Sequence, residues 1–241
     1  MSPLDPRAEA VRAMFSAIVP RYDLLNRLLS LGMDQRWRRR AVEELLRARR
    51  AGDRGGRYLD VGVGTGDVAF AIGEQVGRDE GVRLAGADFS QKMLERAAVK
   101  ARGRGVGLFL IQADALELPF RTGAFDGAII AFGLRNLTDP EAGLREMARV
   151  VRPGGEVVVL EFGPVRGRLF GLIYRFYFRQ VYPRVGRLIS GHPTAYDYLP
   201  ETVSDWPPPE EVSGMMARAG LHHVRHYPLT RGIVYVHAGM R

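Results

Sequence analysis

Cysteine is absent from this chain of 241 residues, and Lys92 and Lys100 are its only lysines, so arginine supplies nearly all of the positive charge. Without thiols, the chain cannot contain disulfides, zinc–thiolate sites or cysteine nucleophiles. A lack of cysteine is also typical of proteins from reducing compartments, so the sequence predicts a cytoplasmic protein.

Long hydrophobic runs are absent too, since no stretch approaches the roughly 20 apolar residues that span a bilayer. The opening residues, MSPLDPRAEA, contain acids and prolines and no apolar core, so they do not predict a signal peptide. The formal net charge of +8 favours nucleic acid or an anionic membrane surface as a partner. A peripheral position on the inner face of the membrane therefore stays open.

The composition, 46% hydrophobic and 26% charged, allows one buried core, and we expect a single domain over residues 1–241. Apolar residues at helical spacing in 7–19 and 34–50 predict an N-terminal helical cap over 1–50. From Arg57 the pattern alternates between strands and helices. Strands are predicted at 57–63, 82–89, 106–114, 124–132, 155–163, 221–229 and 232–239, with helices at 66–77, 90–102 and 140–152.

Continuous apolar strands separated by amphipathic helices are typical of a parallel sheet covered on both faces. The last two strands are joined by a short turn, which predicts an antiparallel hairpin at the edge of the sheet. The expected fold is a doubly wound α/β domain with a mostly parallel, seven-stranded sheet. Its core comprises residues 51–163 and 211–241, and its ligands bind outside the carboxyl ends of the strands.

Residues 164–210 are too long for an ordinary connection, and they are basic, aromatic and apolar together. We interpret them as a helical lid or substrate-recognition insertion. One predicted helical face would suit either an anionic bilayer or the protein core. It consists of Leu169, Leu172, Ile173, Phe176 and Tyr177.

The loop after the first strand, DVGVGTGD, contains Gly62, Gly64 and Gly66. A dinucleotide fingerprint would need its third glycine at position 67, which is Asp67. Asp60 and Asp67 flank the loop and would repel a pyrophosphate, so they suit a ligand that carries an ammonium or sulfonium group. A tight turn with a capping acid is the alternative.

Acids also end the next two predicted strands. Asp88 ends the second, where a carboxylate can accept hydrogen bonds from both hydroxyls of a ribose. Asp114 ends the third, where it can accept from an adenine amino group while Ala115 leaves room for the ring. Each acid alone could be a helix cap or a solvated loop residue. Together with Asp60 they predict S-adenosylmethionine, which has an ammonium, a ribose and an adenine but no phosphate.

Five segments resemble the menaquinone/ubiquinone-biosynthesis C-methyltransferases, a family of class I methyltransferases. They are YDLLNRLLSLGMDQRW at 22–37, FGLRNLTD at 132–139, RVVRPGGEVVVLEFG at 149–163, AYDYLPETV at 195–203 and LTRGIVYVHAG at 229–239. The resemblance extends from about Met14 to Arg241. Departures from the family pattern, none of which removes a candidate cofactor acid, lie at Leu25, Asp34, Val63, Ala131 and Gly163.

The resemblance implies a Rossmann-like class I methyltransferase fold with cofactor contacts at Thr65, Asp88, Asp114 and Ala115. Phe89 and Ala131, at strand ends, complete the cofactor-binding candidates alongside Asp60 and the loop glycines. The implied reaction is methylation of a ring carbon of a lipophilic, prenylated quinol. Demethylmenaquinol is the default substrate, and the benzoquinol precursor of ubiquinone is the alternative.

Arg135 and Asn136 follow the fourth predicted strand directly. A cation there would lower the pKa of a quinol hydroxyl, and N–H donors would stabilise the developing oxyanion. We interpret both residues as catalytic; the alternative is an arginine paired with a surface acid and an asparagine that shapes the turn. Candidate substrate-binding residues are Tyr22, Asp23, His192, Tyr196 and Tyr198, and all but Tyr22 are also candidate general bases.

The positive charge also motivates a nucleic-acid methyltransferase. Cytosine and uracil C5 enzymes commonly need a cysteine nucleophile, which is absent, and GLRN replaces the Pro-Pro-aromatic motif of amino-group enzymes. A small-molecule O- or N-methyltransferase and a non-catalytic relative that binds the cofactor are further alternatives. The sequence predicts no nucleic-acid partner and no metal, and it leaves a homo-oligomer open.

Overall fold

The computed structural model describes residues 6–47, 49, 55–77, 81–165, 167, 171–172, 177–182, 184 and 202–241. The first half contains α1 (Pro6–Leu29), α2 (Asp34–Leu45), β1 (Gly56–Val61), α3 (Asp67–Val76), β2 (Val82–Asp88), α4 (Gln91–Arg104) and β3 (Leu108–Gln112). The second half contains β4 (Phe125–Ala131), α5 (Pro140–Val150), β5 (Val151–Phe162), α6 (Pro209–Arg218), β6 (His222–Leu229) and β7 (Val234–Met240).

The seven strands form one sheet in the order β3-β2-β1-β4-β5-β7-β6. Strands β1 to β5 pair in parallel, and β7 pairs antiparallel with both β5 and β6. The predicted fold class is therefore confirmed. Because β1 lies beside β4, the chain reverses its direction of travel across the sheet at this point, where α/β folds form a crevice at the carboxyl ends.

Both faces of the sheet are covered, and the residues of β5 show how. Alternate side chains of a strand point to opposite faces. Val157 and Val159 pack into the layer that contains α5 and α6, whereas Val158 and Leu160 pack into the layer that contains α2 and α3. The run of aliphatic residues in β5 is thus explained by burial on both sides.

Two boundaries in the second half differ from the sequence prediction. Helix α5 ends at Val150 rather than at residue 152, because Val151 already pairs with Phe125 of β4 ahead of an irregularity in the register. Helix α6 was not predicted. The helix begins at Pro209, in the first turn, where proline is tolerated.

Only part of the predicted insertion at 164–210 lies within the described residues. A π-helical turn at Tyr177–Val181 places Phe178 against Leu25 and Leu29 of α1. Of the predicted helical face, Leu172 is exposed and Tyr177 is half-buried, while the other three residues lie outside the described ranges. Across those ranges, no helix is long and apolar enough to cross a membrane.

Candidate functional site

A cavity of about 170 Å³ lies at the carboxyl ends of β1 to β4. Parallel strands end at the same edge of a sheet, so residues far apart in sequence meet there. Nine of the predicted site residues line it. They are Tyr22, Gly62, Gly64, Asp88, Phe89, Asp114, Ala115, Ala131 and Asn136.

The loop between β1 and α3 needs its glycines for conformation. Gly62, Gly64 and Gly66 have φ angles of +66°, +53° and +93°, in the left-handed region that favours glycine. A Cβ atom on Gly66 would also lie 2.8 Å from the ring of Phe70. Gly62 and Gly64 reach the cavity, whereas Gly66 begins α3 and is not part of the cavity wall.

Asp88, at the end of β2, is held by the backbone on both sides of the crevice. Its Oδ2 accepts from the Gly64 N–H at 2.8 Å and its Oδ1 accepts from the Ser90 N–H at 2.8 Å. Burial raises the pKa of this carboxyl, and the backbone N–H groups oppose that rise. Each carboxylate oxygen has two lone pairs, so each can accept a further bond from a ligand hydroxyl.

Asp114 follows β3 and is exposed at the cavity rim. Its Oδ1 accepts from the Leu116 N–H at 2.9 Å, which shapes the turn that carries Ala115. The Ala113 N–H donates to the Asp88 carbonyl at 3.1 Å, so the ends of β2 and β3 are joined directly. The two predicted acids therefore form adjacent parts of one wall.

Asp60 lies beneath the loop and does not line the cavity. Its Oδ2 accepts from the Ala69 N–H of α3 at 3.1 Å. Burial raises its pKa to about 8, so the carboxyl is mostly protonated at neutral pH. The structure thus places Asp60 as a support of the loop and not in the position expected for a charged ammonium contact.

Thr65 and Asp23 belong to a charged network behind the loop. The Thr65 hydroxyl donates to Asp23 Oδ1 at 2.5 Å, and Lys100 Nζ donates to Asp23 Oδ2 at 2.9 Å and to Asp67 Oδ1 at 2.6 Å. Burial would raise the pKa of Asp67, but Arg38 and Lys100 outweigh it and lower that pKa. Neither Thr65 nor Asp23 lines the cavity; together they tether α1 to the loop and to α4.

This tether also positions Tyr22, the residue before Asp23 in α1. The side chain of Tyr22 lines the cavity. Burial raises the pKa of the Tyr22 hydroxyl. A hydrogen bond with Asn26 and the positive charges of Arg38 and Arg135 oppose that rise. The cation of Arg135 is therefore close enough to act electrostatically on a hydroxyl at the cavity wall.

The segment after β4 turns sharply at the cavity. Phe132 has a φ of +57°, which is uncommon for a bulky residue, and Leu134–Asn136 form one turn of 3₁₀ helix. Asn136 lies on the cavity wall, and its Nδ2 donates to the Phe132 carbonyl at 3.4 Å. Asp139 then caps α5 by accepting from the Ala142 N–H at 2.8 Å.

Arg135 points away from the direct contact that the sequence suggested. Its Nη1 donates to the Phe132 carbonyl at 2.7 Å and to Glu161 Oε1 at 2.7 Å, and its guanidinium lies 5.3 Å from the Phe162 ring centroid. The side chain is buried and does not line the cavity. Its partner is a buried acid, whereas the alternative in the sequence analysis was an ion pair at the surface.

Glu161 is the charged residue that the sequence analysis missed. It is fully buried, and besides Arg135 it accepts from its neighbour, the Phe162 N–H, at 2.9 Å. An acid directly after the aliphatic run at 157–160 was the available signal. The apolar part of the wall was not foreseen either, because its residues look like ordinary core positions. It includes Val61, Ala87, Met93, Ile130, Leu116 and Leu137.

Three predicted substrate-binding residues, His192, Tyr196 and Tyr198, lie outside the described residues. Within the described ranges, no three histidine or acidic side chains are grouped so that they could hold a metal ion. The absence of a metal in the mechanism stays a prediction.

Several solved structures with this architecture are named as methyltransferases. A SAM-dependent methyltransferase of Thermotoga maritima matches with a TM-score of 0.61 at 20% identity, covering 95% of this chain and 98% of that one. Phosphoethanolamine N-methyltransferase 2 of Haemonchus contortus, solved with S-adenosyl-L-methionine, matches with a TM-score of 0.59 at 15% identity over 84% of this chain and 52% of that one. At such identities the likeness shows the fold alone.

Curated relatives match over nearly their whole length. A demethylmenaquinone methyltransferase of Thermus thermophilus is 51% identical over 228 residues, 95% of this chain and 100% of the relative. The ubiquinone/menaquinone biosynthesis C-methyltransferase UbiE of Citrifermentans bemidjiense is 45% identical over 100% of both chains. The model of the ubiE/COQ5 methyltransferase family matches residues 4–241. This chain therefore belongs to the ubiE/COQ5 methyltransferase family.

Proposed function

We propose that this protein transfers the methyl group of S-adenosylmethionine to a ring carbon of demethylmenaquinol, a prenylated naphthoquinol. The observation that carries the proposal is the single cavity in which Asp88 and Asp114 meet Tyr22 and Asn136. Relatives named demethylmenaquinone methyltransferase, in Thermus thermophilus and Deinococcus radiodurans, support this choice of substrate.

The residues of the crevice fit S-adenosylmethionine. Asp88 would accept from the ribose hydroxyls, because both of its oxygens are fixed by backbone N–H groups and keep lone pairs. Asp114 would accept from the adenine amino group, and the small side chain of Ala115 leaves space beside it. When bound, this cofactor supplies a methyl group activated by a positively charged sulfur.

The opposite wall would hold the quinol. A ring carbon becomes a strong nucleophile when the neighbouring hydroxyl loses its proton. Burial raises the pKa of the Tyr22 hydroxyl and the positive charge of Arg135 opposes that rise, so the same charge would favour the phenolate of a quinol placed beside Tyr22. The amide of Asn136 would donate to the developing oxyanion. In this proposal Arg135 acts through its field, from a position fixed by Glu161.

The direct test incubates the purified protein with methyl-labelled S-adenosylmethionine and a short-chain demethylmenaquinol, and identifies the product by mass spectrometry. Parallel reactions contain the benzoquinol precursor of ubiquinone or bulk RNA. We expect a labelled naphthoquinol and no labelled RNA. Label in the benzoquinol alone would replace the proposed substrate, and label in RNA without any labelled quinol would overturn the proposal.

The cofactor site can be tested with two matched variants. Asp88→Asn should weaken the binding of S-adenosylmethionine by about 10–100-fold in calorimetry, because hydrogen bonds to a charged group are worth about 1.5–3 kcal/mol. Asp126→Asn is the control, since Asp126 lies at the amino end of β4 and pairs with Arg152. Equal binding by both variants would remove Asp88 from the site.

A further inference from the structure

The outer side of α1 and the turn after it carry three exposed leucines. Leu24, Leu28 and Leu31 are 60%, 45% and 80% exposed. We call this set the leucine ridge. On the inner side of the same helix, Leu25 and Leu29 are buried against the insertion, so the core already has its apolar contacts. The ridge is therefore surplus to the packing of the fold.

Leu31 is the most unusual member of the ridge. It lies in the turn between α1 and α2 with a φ of +52°, a conformation that is strained for a branched side chain. The next residue, Gly32, closes the turn with its N–H on the Arg27 carbonyl at 2.8 Å. A strained and almost fully exposed leucine gives the fold nothing, so it points to a contact outside the chain.

Arginines surround the ridge. Arg21 and Arg27 are exposed on the same side of α1, and Arg36 and Arg39 are exposed on α2 immediately after the turn. The Nε of Arg27 lies 3.8 Å from the buried carboxylate of Asp34, which also pairs with Arg38, and the Arg27 side chain stays 47% exposed. With a net charge of +8, two copies of this surface would repel each other, whereas an anionic surface would attract it.

The helix that carries the ridge also contributes to the cavity, because Tyr22 lines the cavity wall from α1. A polyprenyl tail is soluble in a bilayer and not in water. A lipid-binding surface next to the cavity would therefore shorten the path of the tail from the bilayer to the cavity. This step of the argument rests on the proposed function; the exposure and charge of the ridge do not.

We propose that the leucine ridge and its flanking arginines dock the protein on an anionic phospholipid bilayer. The carboxyl-terminal turns of α1 would then lie in the membrane interface. Leucines in an amphipathic surface enter the boundary of the acyl chains, and arginines contact the head groups. The site differs from the predicted helical face in the insertion, since it uses α1 and the turn before α2.

The test measures sedimentation of the full-length protein with vesicles of phosphatidylglycerol and phosphatidylcholine in equal parts, and with phosphatidylcholine alone. We expect binding to the anionic vesicles and weaker binding at high salt. The variant L24Q/L28Q/L31N keeps a good helix former at each helical position and places asparagine, which tolerates positive φ, in the turn. It should bind on the order of 100-fold more weakly, because it lacks the three leucines that would be partly buried in the bilayer.

The matched control is V99Q/F109Q, which removes two exposed apolar side chains, 52% and 60% exposed, from α4 and β3. It should bind anionic vesicles like the unaltered protein. A second variant, R21Q/R27Q, should lose most of the salt-dependent part of the binding. Absence of binding to anionic vesicles, or equal binding by the ridge variant and the control, would overturn the docking surface.

Activity separates this inference from the proposed function. The ridge variant should methylate a short-chain quinol in solution at the unaltered rate and lose activity only towards a long-chain quinol in vesicles. Vesicle binding that needs the ridge, without any quinol methylation, would sink the proposed function and keep the surface. A dimer that depends on the ridge in sedimentation velocity, without vesicle binding, would show that the ridge contacts a second copy of the chain. That result would overturn the proposal of membrane docking.

Discussion

Two buried glutamates of β5 pair with arginines in different parts of the molecule. Glu161, near the carboxyl end, bonds Arg135 at 2.7 Å, and Arg135 in turn holds the backbone of the cavity wall. Glu156, in the middle of the strand, accepts from Arg225 at 3.1 Å, and Arg225 also donates to Glu44 of α2. The chemistry of the two pairs is the same, so their roles depend on what each arginine holds in place.

The first pair supports a turn that lines the cavity, whereas the second joins α2, β5 and β6 away from it. Buried ion pairs are weak evidence for net stability, because desolvation offsets much of their attraction. We therefore expect loss of the first pair to affect catalysis and stability together, and loss of the second to affect stability alone.

The largest effect is expected from Arg135→Ala. It should lower turnover about 100–1000-fold, because the positive field at the quinol and the support of the turn that carries Asn136 are lost together, and it should spare cofactor binding. It should also cost about 3–5 kcal/mol of unfolding free energy, because Glu161 is left charged and buried. Arg225→Ala is the control; it should also cost about 3–5 kcal/mol, because Glu156 is left charged and buried, but it should keep near-normal turnover. Similar losses of turnover in the two variants would contradict the proposed difference between the two ion pairs.

A smaller effect is expected from Glu161→Gln, which keeps an acceptor for Arg135 but removes the charge. Turnover should fall about 10–100-fold, with little change in KM, because the guanidinium is held less firmly. Glu156→Gln is matched to it on the same strand. One oxygen of Glu156 lacks a hydrogen-bond partner among the described residues, so this change should stay within about 1 kcal/mol in urea unfolding and keep turnover.

The smallest effects are expected from two buried groups that titrate in opposite senses. Burial raises the pKa of Asp60 to about 8 from 3.8, so between pH 7 and pH 5 the folded form holds a proton that the unfolded form lacks, and lowering the pH adds about 2–3 kcal/mol of stability. Burial, with the charge of His226, lowers the pKa of His237 to about 3 from 6.5. The same pH change therefore protonates His237 only in the unfolded chain and removes about 2 kcal/mol.

Urea unfolding at pH 7 and pH 5 would separate these two contributions. Relative to the unaltered protein, Asp60→Asn should lose about 2–3 kcal/mol more unfolding free energy when the pH falls from 7 to 5. His237→Gln should lose about 2 kcal/mol less. If both variants follow the unaltered protein, neither group has the expected shift.

The order of the strands and the acids that follow them could be read from the sequence. Asp88 and Asp114 were placed correctly at one edge because any parallel sheet brings the ends of its strands together. The cap at Asp139 was also predictable, since it depends only on residues within one helical turn. These are local or purely topological properties.

Side-chain partners across the sheet could not be read in this way. Thr65 and Asp60 do not line the cavity, because their side chains bond to partners on other elements, Asp23 and Ala69. The departure from the family pattern at Gly163 has a similar reason, because a Cβ atom there would collide with the ring of Tyr235. Such contacts depend on packing between residues far apart in the chain.

The sequence by itself determined the class of fold and the edge of the sheet at which the cavity forms, because hydrophobic periodicity and strand order are enough for these. Only the tertiary structure decided where Arg135 points. Its partner, Glu161, is 26 residues away on the adjacent strand, and a long side chain follows the charge that it meets after folding. The arginine next to the cavity is thus held by the sheet, and Asn136 is left on the cavity wall.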